Sequence, residues 1–151
     1  LERDAALRNA AMAQARAEMQ SSFDETLSML GRAGLKVLVV APTPEMIYSP
    51  PLCIGLRRGT HCNVPRVVSE ALVKDPTEAL AEVVSRHPDV RLIHLMDFFC
   101  DAETCYAMRD GKILYVDENH LTATTARDLG HFILRDLSWL RREANTEALG
   151  R

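Results

Sequence analysis

A carboxylate and an imidazole stand three residues apart at Asp117 and His120, within Tyr115-Val116-Asp117-Glu118-Asn119-His120-Leu121-Thr122. The stretch falls between a short apolar run and the last helical pattern, where a connection can aim two side chains at one spot. A carboxylate accepting from one ring nitrogen fixes the tautomer. The other nitrogen is then free to take a proton from a nucleophile. That is the chemistry of a general base with its orienting acid. Spacing alone equally fits a loop aspartate followed by a histidine that leads into a helix. No nucleophile motif accompanies the pair, since Ser21, Ser22, Ser28, Ser49, Ser69, Ser85 and Ser138 all sit in helical or loop patterns.

The elements that must position this pair are legible in the apolar periodicity. Met12, Ala15, Met19, Phe23, Leu27 and Leu30 recur at three- and four-residue steps and predict a leading helix over 1–34, with Ser21-Ser22 as a place for it to break or re-cap. The methionine stripe reads as core packing, and Gly31 and Gly34 supply the stop. Leu35 to Ala41 is a β-branched, nearly continuous apolar run of the kind that forms a buried parallel strand. Pro42-Thr43-Pro44-Glu45 then forces an extended exit. Ligands of open α/β sheets bind beyond the carboxyl ends of strands, which makes Pro42 to Glu45 a candidate pocket wall, with Pro44 and Glu45 as substrate-binding candidates.

Residues 46–65 read as a long irregular segment containing Arg57 and Arg58, a solvated pair with anion binding as the alternative. A helix over 65–74 precedes a second start signal at Asp75, Pro76 and Glu78, with Leu80, Val83 and Val84 inward and His87-Pro88 as terminator. Val90 to Met96 is the second parallel strand, with His94 packed within it and Asp97 at its carboxyl end as a further substrate-binding candidate. Asp110-Gly111 marks a two-residue hairpin turn. The last helix starts at Thr122 and carries Ala126, Leu129, Phe132, Ile133, Leu137 and Leu140 on one side, before a frayed tail over 141–151.

Composition narrows the function classes. The 151 residues are one domain's worth, 47% of them hydrophobic and 26% charged. A net charge of −3 offers no basic footprint for nucleic acid. The apolar run at 35–42 is far too short to span a bilayer. The four cysteines fall into two local pairs, Cys53 with Cys62 and Cys100 with Cys105, each around a loop of turn formers. That placement favours two local disulfides and an oxidising compartment. Free thiols and a zinc site are the alternatives, although separations of nine and five residues are not those of zinc knuckles.

The same order of elements resembles a known family. A hydrophobic strand leading into Ala41-Pro42-Thr43-Pro44-Glu45 is followed by the Cys53–Cys62 loop, the Phe99-Cys100 to Cys105 loop and Gly111-Lys112-Ile113-Leu114-Tyr115-Val116-Asp117-Glu118-Asn119-His120-Leu121-Thr122, with Gly130 beyond. Over about residues 27–134 this resembles the SGNH (GDSL-like) hydrolase superfamily, most closely the SGNH domain fused to the carboxyl end of bacterial acyltransferase-3 membrane proteins, which O-acetylate surface polysaccharides such as lipopolysaccharide O-antigen. The resemblance implies a three-layer α/β/α, flavodoxin-like fold with a parallel sheet. It also implies a Ser-His-Asp triad in which Asp117 is the acid and His120 the base.

Acyl transfer to, or ester hydrolysis on, a carbohydrate follows from the resemblance, with no cofactor and no metal. So does a periplasmic location as the soluble domain of an inner-membrane protein. The family's Gly-Asp-Ser block and its later Gly and Asn oxyanion donors are missing. Asn63, the one Asn besides Asn9 before the Asp-x-x-His block, lies within the first cysteine loop. The chain therefore reads as the carboxyl-terminal portion (1–151) of a single such domain, whose partners are the amino-terminal part with the serine, an acyl donor, a surface polysaccharide and a membrane acyltransferase domain. A non-catalytic module that binds glycan or a partner is the second reading.

Overall fold

A computed structural model describes residues 2–57, 62–134 and 139. Its elements in chain order are α1 (Glu2–Arg32), β1 (Val37–Val40), α2 (Pro50–Arg57), β2 (Val64–Pro65), α3 (Arg66–Val84), β3 (Val90–Ile93), α4 (Met96–Phe99), β4 (Thr104–Cys105), β5 (Met108–Arg109), β6 (Lys112–Ile113) and α5 (Ala123–Leu134). Helices and strands mix as an α/β class demands. β1 and β3 pair in parallel, with Val37 opposite Val90 and Val40 opposite Ile93. β2–β4 and β5–β6 are separate antiparallel ladders.

The chain divides into two compact units, Leu1–Ala41 with Asp75–Ile93 and Pro42–Lys74 with His94–Arg151. In the first, Leu27, Val83, Val84 and Val90 form a buried cluster against which Phe23, Val37, Val39 and Leu92 pack. Burying a Leu or Val side chain contributes about 1.5–3 kcal/mol, so these few residues hold α1 and the end of α3 onto the two strands. Asp24 on α1 receives His87 Nε2 at 3.1 Å and Arg86 at 3.2 Å. His87 is thus a helix-end residue, as its position before Pro88 predicts.

Within the second unit the core is aromatic and sulfur-rich. Phe99 and Tyr115 are both fully buried with ring centroids 5.4 Å apart, and Phe98 meets Phe99 and Phe132 edge-on. Both local disulfides are present, Cys53–Cys62 and Cys100–Cys105, leaving no free thiol and no zinc ligand among the cysteines. Asn63 accepts the Ala107 amide at 3.0 Å through its side chain, so it ties two loops together.

Several sequence expectations are corrected. α1 runs without a break through Ser21-Ser22, because serine in mid-helix costs little once the helix is anchored downstream. Its methionine stripe is not core: Met12 is 70% and Met19 37% exposed, and the apolar cluster takes up the helix only from Phe23, after polar bonds from Arg16 and Gln20 to Glu82. Segment 46–65 is not wholly irregular, since Pro50 and Pro51 open α2, where prolines fit because a helix's first amides lack partners anyway. Arg57 ends α2, whereas Arg58 lies outside the described residues.

Asp75 does not cap a second helix. α3 continues through Pro76, with Val73, Ala79 and Val83 buried on either side to offset the lost hydrogen bond. The division between the two units nevertheless falls at Lys74 and Asp75. β1 is parallel but only half-buried, with Val40 exposed. β3 stops at Ile93, which leaves His94 exposed beyond it and Asp97 inside α4 rather than at a strand end. On α5 Thr125 and Leu129 are buried and Phe132 and Ile133 half-buried, as the expected face requires apart from Thr125, while Ala126 is exposed. Leu137 and Leu140 lie outside the described residues, as does the tail over 141–151.

Candidate active site

The Asp-x-x-His stretch is a tight loop leaving the hairpin. Asp110 (φ 50°) and Gly111 (φ 74°) turn β5 into β6 with both central residues left-handed, the geometry that an Asp-Gly pair favours. Beyond β6, Tyr115 bridges Leu121 across the loop. The Val116 amide donates to the His120 carbonyl at 2.8 Å, and the Thr122 amide to Leu114 at 3.0 Å. Thr122 then caps α5, its Oγ1 accepting the Thr125 amide at 3.2 Å. The loop is closed at its base and welded to a helix start.

Asp117 organises the interior of this loop. Its Oδ1 accepts the amides of Asn119 at 3.0 Å and His120 at 2.7 Å, a local side-chain turn characteristic of aspartate. Its Oδ2 lies 2.8 Å from His120 Nδ1. The Asn119 and His120 amides, joined by the imidazole, hold the Asp117 carboxyl down at about 2, below the ordinary aspartate range. An ionised carboxylate is acceptor only, so Nδ1 carries the proton and donates, leaving Nε2 as the basic nitrogen. The His120 side chain is 76% exposed, and among the described residues Asp117 is its only side-chain partner. The imidazole is held on one side and open on the other.

The segment that follows β1 in the chain lies against this loop. The Met46 amide donates to the Glu118 carbonyl at 2.8 Å, and Thr43 Oγ1 to the Asn119 carbonyl at 2.9 Å. Pro44 is fully buried and Glu45 partly exposed, with the Glu45 carbonyl accepting from the buried Ser69 hydroxyl at 2.6 Å. Pro44 and Glu45 thus lie in the chain between the two residues that bond the Asp117–His120 loop, Thr43 and Met46.

Asp97 is engaged differently. Its carboxylate meets the Arg66 guanidinium at 2.9 Å, while Arg66 also bonds Glu70 at 2.7 Å and the Asp101 carbonyl at 2.9 Å. Glu70 and Asp97 raise the Arg66 pKa further, so the guanidinium stays charged. Arg66 and Asp101 organise the Cys100–Cys105 loop, where the Asp101 carboxylate also takes the Tyr106 hydroxyl and the Glu103 and Thr104 amides. Sequence reasoning missed Arg66 and Ser69, and placed Thr43 only within the Pro42 to Glu45 pocket wall without giving its hydroxyl a role.

Among the described residues no cluster of His, Cys, Asp and Glu is arranged to hold a metal ion. No described helix is long and apolar enough to cross a membrane. The chain belongs to the SGNH domain family, described as fused to AT3 (acyltransferase-3) domains, whose model matches residues 2–135. That family generally comprises esterases and acyltransferases. No curated protein and no solved structure matches the chain.

Proposed function

We propose that this chain is the carboxyl-terminal portion of an SGNH domain that transfers an acyl group to, or hydrolyses an ester on, a surface carbohydrate. The observation that carries the reading is the 2.8 Å contact between Asp117 Oδ2 and His120 Nδ1, with the ring otherwise exposed. His120 Nε2 removes the proton from a serine as it attacks the acyl carbonyl, and Asp117 stabilises the imidazolium. His120 then returns the proton to the departing alcohol. Water or a sugar hydroxyl, activated by the same nitrogen, takes the acyl group from the serine. Esterase and transferase differ only in that acceptor.

The serine is assigned to the amino-terminal part of the domain, preceding Leu1. That part would also add strands to the β1–β3 pair and complete the three-layer α/β/α sandwich, since a two-stranded parallel sheet leaves both edges open. Glu45 is proposed to border the substrate, with Pro44 backing it and Asp97 kept at the rim by Arg66. The family's fusion to acyltransferase-3 domains supports a membrane acyltransferase as the source of the acyl group, and the two disulfides support a periplasmic setting.

In the full-length protein, His120→Ala is expected to lower acyl-ester turnover at least about 10³-fold while leaving the fold intact. Wild-type turnover in that variant would refute the triad assignment. A second reading draws on one observation: among the described residues no hydroxyl is bonded to His120. On that reading the domain binds glycan or a partner without catalysis. The coding sequence upstream of Leu1 separates the two, because only the catalytic reading requires a Gly-Asp-Ser block there.

A further inference from the structure

The Asp117–His120 loop is stiff inside but must also be held in place as a body. Its amides at Asn119 and His120 go to the Asp117 carboxylate, and its base is closed by Val116 and Thr122. None of those bonds fixes the tip against the rest of the second unit. Two others do. The Met46 amide reaches the Glu118 carbonyl, and Thr43 Oγ1 reaches the Asn119 carbonyl, so two successive carbonyls are gripped by one short segment.

That segment has little freedom of its own. Pro42 and Pro44 fix the backbone dihedral on either side of Thr43, and Pro44 is fully buried. The Glu45 carbonyl is pinned by the buried Ser69 hydroxyl at 2.6 Å. A rigid strap therefore presents one hydroxyl to the carbonyl immediately preceding His120. The Met46 contact is made by backbone alone, which leaves Thr43 as the one side chain of the strap that braces the loop.

We propose that Thr43 is a positioning residue for His120, acting through the Asn119 carbonyl to set where the imidazole points. The proposal rests on the general-base reading of His120. It assigns Thr43 no contact with substrate. Effective catalysis needs the base placed to within a fraction of an ångström, and a misplacement of about 1 Å can cost 10²-fold in rate. A brace one residue from the base is where such an error would enter.

The test uses the full-length protein and three variants. Thr43→Val and Thr43→Ala remove the hydroxyl, and Thr43→Ser keeps it. Two readouts are taken: steady-state ester hydrolysis, and peptide-resolved carbethoxylation of His120 by diethyl pyrocarbonate as a function of pH, with Asp117→Asn as control. The hydroxyl-less variants are expected to lose about tenfold in kcat with KM unchanged. Their His120 labelling midpoint should move toward that of Asp117→Asn. Thr43→Ser should match wild type in both respects.

A wild-type labelling midpoint in both hydroxyl-less variants overturns the brace, and so does a Thr43→Ser protein as impaired as Thr43→Val. If even the wild type turns over no ester, the catalytic reading fails. The labelling midpoints still decide whether Thr43 positions the ring.

Discussion

The carboxylate of Asp117 does three things with two oxygens. One gathers the amides of Asn119 and His120, and the other orients the imidazole. The same contacts make its ionisation unusually persistent. The folded carboxyl lies at about 2 against an ordinary 3.8, so its contribution to the loop is complete above the ordinary value and is lost only as pH falls through about 2. Carboxyl-resolved NMR is expected to show Asp117 titrating near 2. A midpoint in the ordinary aspartate range would mean that the turn does not form in solution. The Asp117 carboxylate therefore keeps orienting the His120 imidazole in mild acid.

At the scale of elements, each connection near the site ends in a side chain that does local work. Thr122 is the clearest case. It caps α5 through the Thr125 amide, bonds the Thr125 hydroxyl at 2.8 Å and donates to the Ile113 carbonyl at 3.2 Å. Thr122→Ala is expected to destabilise the protein by about 1 kcal/mol, with Thr122→Ser recovering most of that, as read from denaturant midpoints. An unchanged midpoint in the alanine variant would show that the helix start does not depend on this cap. The strand and helix patterns misled where packing overrode a local signal. Asp75-Pro76 has the chemistry of a helix start, yet burial of Val73, Ala79 and Val83 carries α3 through it. Met12 and Met19 share a stripe with Leu27, yet only the lower half of that stripe meets a core.

Across the whole molecule, two disulfides in the second unit cross-link short loops around an otherwise strand-poor core. Reduction is expected to cost about 2–3 kcal/mol per bridge by loosening the unfolded chain's constraint, seen as a lower denaturant midpoint with thiol reductant. A midpoint indifferent to reductant would mean that the bridges add nothing to the core. The chain alone determined the parallel strand pair, the Asp-Gly hairpin, the α5 cap, the local cysteine pairs and the pairing of Asp117 with His120. Each of those depends on neighbours in sequence or on residue chemistry that any context preserves. Tertiary structure decided the rest: which half of α1 is buried, whether Pro76 ends a helix, that Arg66 claims Asp97, and that Thr43 grips the loop before His120. Those outcomes turn on residues that are distant in sequence and brought together only by packing, where no spacing rule reaches.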